Sequence, residues 1–405
     1  MAHSETCCFS MLRESFCFAV LSLLGIAAFA TTFAQVPTPT PSQATVSAPA
    51  QTNDIPVLKG ITATMMTTSR ITTRVLFTGE EKGVPVLFLH GNLCSATWWE
   101  ETMLALPKGF RGIAPDQRGF GAADITKKVD ATRGMGDLAD DALALMDALK
   151  ATKFHVVGNS LGGSVVWRLM MQAPERLLSV TLISPGSPYG FGGTKDTAGT
   201  PCYDDFAGTG AGLANKLLLK AIRDGDRSTV TPFSPRSAIR NFIVKPPFIP
   251  ANEESLLSSM MSVHQGSEAT PGDITPSQNW HRFAPGKWGV VNGLSPKYAG
   301  DVAQIWSAAK KVSVLWVRGA NDLAVSNNAA SDIATLGARG FVPNYPGKDA
   351  YPPQPMLDQT RAVLEKYKRG GGNYREVVLE NTAHVPHIEN PSEFNKYFHH
   401  LLQSK

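Results

Sequence analysis

Three residues far apart in the chain have the types needed for nucleophilic chemistry: Ser160, Asp322 and His384. Ser160 is central to Gly158-Asn159-Ser160-Leu161-Gly162-Gly163, between an apolar run at 154–157 and a helical pattern starting at Leu161. A G-x-S-x-G turn between a strand and a helix is a nucleophile elbow. So tight a turn leaves no room for a Cβ at 158 or 162, and it holds the serine hydroxyl above the sheet edge at a helix N-terminus. A protonated hydroxyl is a poor nucleophile and needs a base. His384, in Asn381-Thr382-Ala383-His384-Val385-Pro386, follows the last expected strand and can supply one. The other histidines are placed less well: His155 inside a strand, His399 and His400 in the final helix, His264 and His281 in an irregular interval. The base in turn needs a carboxylate to hold its tautomer and stabilise the imidazolium. Asp322, in Arg318-Gly319-Ala320-Asn321-Asp322, also sits just beyond a strand. Donors for a developing oxyanion would be the backbone N–H groups of Leu161 and of Asn92, with the Asn92 side chain assisting. Asn92 belongs to His90-Gly91-Asn92, directly after the run at 84–89, and His90 reads as structural.

These residues need a scaffold that brings strand ends together. The short continuous apolar run at 84–89 suits a strand covered on both faces, and further strands are expected at 112–114, 154–157, 179–183, 312–317 and 374–379. Two β-rich stretches, 61–68 and 73–78, precede them. Helical patterns occupy a segment starting at Ser95, then 136–150, 161–172, 328–336, 354–368 and 391–402. Alternating strands and helices indicate βαβ units and an α/β fold with a doubly wound, mostly parallel sheet. His384, His387 and Glu389 resemble a metal cluster in spacing, but Pro386 interrupts a helix that would align them, and there is no HExxH or paired cysteine motif. The reading calls for no metal and no cofactor.

Composition narrows the partners. The 405 residues carry 38 Lys+Arg against 34 Asp+Glu and are 43% hydrophobic, without blocks of like charge, so a dedicated nucleic-acid binder is not expected. Phe16 to Ala34 is the one long apolar run, with Arg13 ahead of it. Residues 1–34 therefore read as a secretory signal peptide, cleaved after Ala30 or Ala34, with Met11 an alternative start. An uncleaved signal anchor is the competing reading. Residues 35–56, rich in Pro, Thr, Ser and Ala, read as an extended linker. The expected location is secreted or periplasmic, with no stable membrane span once the signal is removed. The folded domain is expected over 57–405. Export would leave Cys94 and Cys202, either bonded to each other or as two free thiols.

Together, HGN at 90–92, DQRGFG at 116–121, GNSLGG at 158–163, GANDLAV at 319–325 and HVPHIENPSEF at 384–394 resemble the α/β-hydrolase superfamily, in its lid-bearing serine hydrolase branch. The resemblance spans roughly 57–186 and 300–405 and implies an α/β-hydrolase fold. By the same resemblance, Asp116, Arg118 and Gly119 form a structural turn, while Pro386, Glu389 and Pro391 fix the histidine loop. The interval from about 185 to 300 falls where this fold carries a lid, and a second insert occupies about 338–372. Several lid aromatics, among them Phe242 and Trp280, are candidates for a cavity lining or for the lid's own core. The second insert is expected at the pocket rim. HGN followed by Trp98 and Trp99 is similar to the haloalkane dehalogenase group, whose nucleophile is an aspartate. Ser160 departs from that pattern and argues for acyl transfer to water through a serine ester. The expected activity is hydrolysis of a small-molecule carboxylic ester or lactone. A short-peptide aminopeptidase, a C–C bond hydrolase, a cofactor-free haloperoxidase and a ligand-binding member without turnover remain alternatives.

Overall fold

The computed structural model describes residues 55–404. The signal and nearly all of the linker expected from the sequence lie outside the described residues. The central sheet has eight strands: β1 (Thr62–Thr67), β2 (Thr72–Thr78), β3 (Val84–Leu89), β4 (Phe110–Pro115), β5 (Phe154–Asn159), β6 (Leu177–Ile183), β7 (Ser313–Gly319) and β8 (Asn373–Leu379). Their spatial order is β1-β2-β4-β3-β5-β6-β7-β8. β1 and β2 pair antiparallel, β2 is antiparallel to β4, and every later pairing is parallel.

The apolar run of β3 is continuous because both faces of the sheet are covered there. Along β3, Leu87 and Leu89 enter one buried cluster while Val86 and Phe88 enter the other. The main helices are α1 (Glu100–Leu104), α2 (Gly136–Ala148), α3 (Leu161–Gln172), α4 (Lys216–Arg223), α5 (Glu253–Met261), α6 (Ile333–Ala338), α7 (Met356–Arg369) and α8 (Pro391–Gln403). α2, α3 and α7 cover the first face, through residues such as Leu145, Val165 and Val363. Phe394 and Phe398 of α8 cover the second, beside Trp99.

Parallel register lines up the carboxyl ends of the central strands. Leu89 is opposite Gly158, Asn159 opposite Ile183, and Gly319 opposite Leu379. The loops that follow β3, β5, β7 and β8 therefore emerge along one edge, where open α/β sheets place ligand sites.

Over that edge lies the interval after β6. It contains α4, α5, six short helical segments (Gly210–Leu213, Pro235–Ala238, Ile239–Ile243, Val290–Gly293, Pro296–Tyr298, Ala303–Ser307) and two small strand pairs. The rest is irregular, as its glycine and proline content implies. Two backbone bonds tie it to the turn after β4, His264 N–H to Gly119 O (3.0 Å) and Gly121 N–H to Ser262 O (3.1 Å). That turn is held by buried ion pairs. Arg74 Nε meets Asp116 Oδ2 at 3.0 Å, and Arg118 Nε meets Asp141 Oδ2 at 2.7 Å.

The second insert packs beneath the lid rather than forming the pocket rim. Tyr351 is fully buried and its hydroxyl donates to the carbonyls of Ala207 and Gly208, each at 3.1 Å. Gln354 accepts from Gly192 N–H and donates to Gly190 O. The expected helix at 328–336 is shorter, because Asp332 caps α6 by accepting from Ala334 N–H (3.0 Å). Cys94 and Cys202 are both free thiols.

Candidate active site

The elbow has the conformation that its glycines imply. Ser160 adopts φ 55°, ψ −117°, a region costly for a residue with a side chain. A Cβ on Gly162 would fall on the Leu89 carbonyl, and one on Gly158 would fall on the Gly162 carbonyl. β3, β5 and the start of α3 thus approach closely only through these two glycines. Leu161 opens α3, so its N–H has no acceptor inside the helix.

His384 and Asp322 meet across the ends of β8 and β7. The imidazole Nδ1 is 3.0 Å from Asp322 Oδ2 and 3.1 Å from Oδ1. Asp322 Oδ1 also accepts from Ala324 N–H (2.8 Å) and Val325 N–H (3.0 Å), which fixes the carboxylate independently of the histidine. Both side chains are buried. A carboxylate facing Nδ1 selects the tautomer with the proton there and leaves Nε2 as acceptor. Three further contacts hold the histidine loop. Asn159 Nδ2 donates to His384 O (3.2 Å), linking the residue before the serine to the histidine backbone. His384 N–H donates to Ile243 O of the lid (3.0 Å). Glu389 accepts from Ala383 N–H (2.8 Å) with one oxygen and from lid residue Lys245 N–H (2.7 Å) with the other.

Ser160, His384, Leu161 and Asn92 all line one cavity of about 200 Å³. Its wall is mainly apolar, combining Trp98 and Val385 from the core with Leu213, Leu218, Leu219, Phe242, Val291 and Leu294 from the lid. Ala324, Val325 and Ser331 close the side next to Asp322, whereas residues 338–372 contribute nothing to the lining. Of the lid aromatics considered from sequence, Phe242 reaches the cavity. Trp280 instead packs on Tyr345 and Tyr351, with ring centroids 5.4 and 4.9 Å away. The cavity-facing leucines of α4 were missed. Their signal was Asn215, which caps α4 by accepting from Leu217 N–H and Leu218 N–H and so sets the phase of that helix.

His90 has a structural place. Its Nε2 accepts from Gln117 N–H (3.0 Å), so Nδ1 donates to Gly91 O (2.9 Å) and the ring is neutral. Pro386 does not interrupt a helix but begins the single turn Pro386–Glu389, an accepted position for proline. His387 in that turn stacks on Trp99 at 4.7 Å and is buried away from the cavity. Among the described residues no three His, Cys, Asp or Glu side chains are grouped to hold a metal ion.

Burial lowers His387 to about 3, with His384 adding to the effect, and lowers His90 and His155 to about 4. In the unfolded chain each protonates near the ordinary 6.5. Between about pH 6.5 and 4 the unfolded state therefore binds protons that the folded state excludes, and stability falls as pH falls. Asp332, raised to about 6 by burial, acts in the opposite sense, its contribution being lost as pH rises toward 6. His387→Phe keeps a ring against Trp99 and removes one of these titrations. Thermal melts of the variant are expected to decline less steeply than wild type between pH 6.5 and 4; an equal slope would contradict a neutral buried His387.

A family model described as alpha/beta hydrolase fold matches residues 84–346, more than half of the chain. Among curated relatives, an AB hydrolase superfamily protein, YfhM, of Bacillus subtilis (strain 168) is 32% identical over 133 residues, 33% of this chain and 46% of the relative. The 2-hydroxymuconate semialdehyde hydrolase of Pseudomonas sp. (strain CF600) is 34% identical over 104 residues, 25% of this chain and 36% of the relative. The chain thus spans less than half the length of these relatives. Among solved structures, the 2-hydroxy-6-oxo-6-phenylhexa-2,4-dienoate hydrolase of Rhodococcus sp. strain RHA1 superimposes with a TM-score of 0.53 at 17% identity, covering 85% of this chain and 99% of that one. A putative aryl esterase from Burkholderia cenocepacia gives a TM-score of 0.52 at 17% identity, covering 84% and 98%. With the eight-stranded sheet and the elbow at its edge, the match identifies the chain as a member of the alpha/beta hydrolase fold family.

Proposed function

We propose that this hydrolase cleaves a carboxylic ester or lactone through an acyl-enzyme on Ser160. The observation that carries the reading is the joint geometry of the site. A serine in a strained turn shares a cavity with a histidine whose Nδ1 lies 3.0 Å from a fixed carboxylate. In the reaction the Ser160 hydroxyl attacks the carbonyl carbon while its proton passes to His384 Nε2. The N–H groups of Leu161 and Asn92 stabilise the tetrahedral oxyanion. His384 then returns the proton to the departing alkoxide. In the second half, water gives a proton to His384 and attacks the acyl carbon; the Ser160 Oγ–carbon bond then breaks, the acid leaves and His384 returns its proton to Ser160 Oγ. Asp322 keeps the imidazole oriented and stabilises its cationic form. The steps need neither metal nor cofactor. Curated relatives of partial coverage include an uncharacterized carboxylesterase of Bacillus subtilis (strain 168) and a rhodomycin D methylesterase of Streptomyces sp. (strain C5), which supports ester substrates. We place the protein outside the cytoplasm, on the strength of the apolar run at 16–34.

A fluorophosphonate reacts covalently with an activated serine. Intact-mass measurement is expected to show one adduct on the wild type and none on Ser160→Ala. An unlabelled wild type would overturn the nucleophile assignment.

A further inference from the structure

The cavity wall carries information on substrate charge. Among the described residues no Lys, Arg, Asp or Glu lines it, and the titratable groups on the wall are Cys94 and His384. Burial pushes the Cys94 thiol well up, so it stays neutral. His384 cannot serve as a fixed counter-charge, because the proposed reaction needs it neutral when substrate arrives. The other polar side chains on the wall are hydroxyls and amides, and all are uncharged. Thr270 Oγ1, on a residue 1% exposed, has no hydrogen-bond partner, and neither do Ser164 Oγ and Asn92 Oδ1. A group buried here meets mainly hydrocarbon, with the hydroxyls of Ser160, Ser164, Thr270 and Ser331 and uncharged amides, and no fixed charge that neutralises an ion.

Ionised groups moved into such surroundings without a partner lose their hydration uncompensated. Size adds a second limit. An apolar cavity of about 150 Å³ holds a benzene, so a cavity of about 200 Å³ takes a group somewhat larger.

We infer that the substrate is an uncharged ester or lactone whose enclosed part is a compact hydrocarbon of roughly six to nine non-hydrogen atoms, with any polar substituent neutral. This rests on the serine-hydrolase reading for the word ester, but the charge selection belongs to the cavity itself. It also separates the alternatives left by the sequence. An aminopeptidase must hold a cationic α-amino group, and a hydrolase of dienoate acids, as two partial relatives are named, must hold a carboxylate. This wall offers a counter-ion to neither.

The test uses three p-nitrophenyl esters of similar length: the hexanoate, the glutarate half-ester and the 6-aminohexanoate. With wild type, kcat/KM for the hexanoate is expected to exceed that for either charged ester by at least about 100-fold. With Ser160→Ala, which cannot turn over by the proposed route, the hexanoate is expected to raise the melting temperature while the charged esters at equal concentration do not. Equal shifts, or kcat/KM values within about threefold, would overturn the inference. Absence of turnover of all three, with the selective shift retained, would instead count against the serine mechanism and leave the cavity's charge selection standing.

Discussion

Ser160→Ala is expected to lower kcat toward a neutral ester by roughly 10⁵ to 10⁶, and His384→Ala by a similar factor. The two losses should not add. Once the hydroxyl is gone, the base has no proton to take, so the double variant is expected to be no worse than either single one. On the proposed mechanism, what survives would come from the Leu161 and Asn92 amides and from binding in the cavity. Asp322→Asn tests the remaining member without removing a contact surface. Asp322 Oδ1 accepts from Ala324 and Val325 N–H, and an asparagine oxygen can keep those bonds. The amide nitrogen would then face His384 Nδ1 and donate to it, forcing the proton onto Nε2, the atom that must accept from serine. A loss of roughly 10⁴ in kcat with little change in melting temperature is expected. Steady-state kinetics on the folded variants check all of these, and an Asp322→Asn enzyme within tenfold of wild type would remove Asp322 from the triad.

Gly162→Ala is expected to produce little or no folded protein. The added methyl would fall on the Leu89 carbonyl and close to that of His90, both main-chain atoms of the strand end that leads into the Asn92 loop. No rotamer relieves a Cβ clash, so either α3 or β3 must move. Overpacking of this kind costs about 1–3 kcal/mol in ordinary cores and more where backbone cannot yield. Because β3 lies between β4 and β5, displacing it disturbs the middle of the sheet. Soluble yield and urea unfolding provide the measurement. A Gly162→Ala protein of wild-type stability would mean that the elbow is far looser than the structure has it.

The parts of this protein readable in its sequence are those governed by local rules. Strand β3 was legible because burial on both faces demands an unbroken apolar run, and Gly158 and Gly162 because the turn excludes a Cβ. Asp322 and His384 could be placed because each directly follows a strand, and parallel strands end on one edge. The cavity wall obeys no local rule. Leu218 and Val291 line the serine's cavity only because a lid of short turns folds back over the edge, a consequence of contacts far apart in the chain. The insert at 338–372 was expected at the rim from the position of its ends, yet Tyr351 and Gln354 draw it beneath the lid through hydrogen bonds to loop carbonyls. Pro386 opens a single helical turn that contains His387 but not His384, so the two histidines share no helix face.

Glu389 and the Ile243 carbonyl fasten the lid to the loop that carries His384. In many enzymes a cover and the chemistry beneath it behave as separable modules, and specificity can be altered by exchanging one cover for another. Here a transplanted cover would arrive without the two main-chain partners that seat the base. On the proposed mechanism this couples substrate preference to turnover, so a lineage that remodels segment 239–245 must also re-establish the histidine's seat.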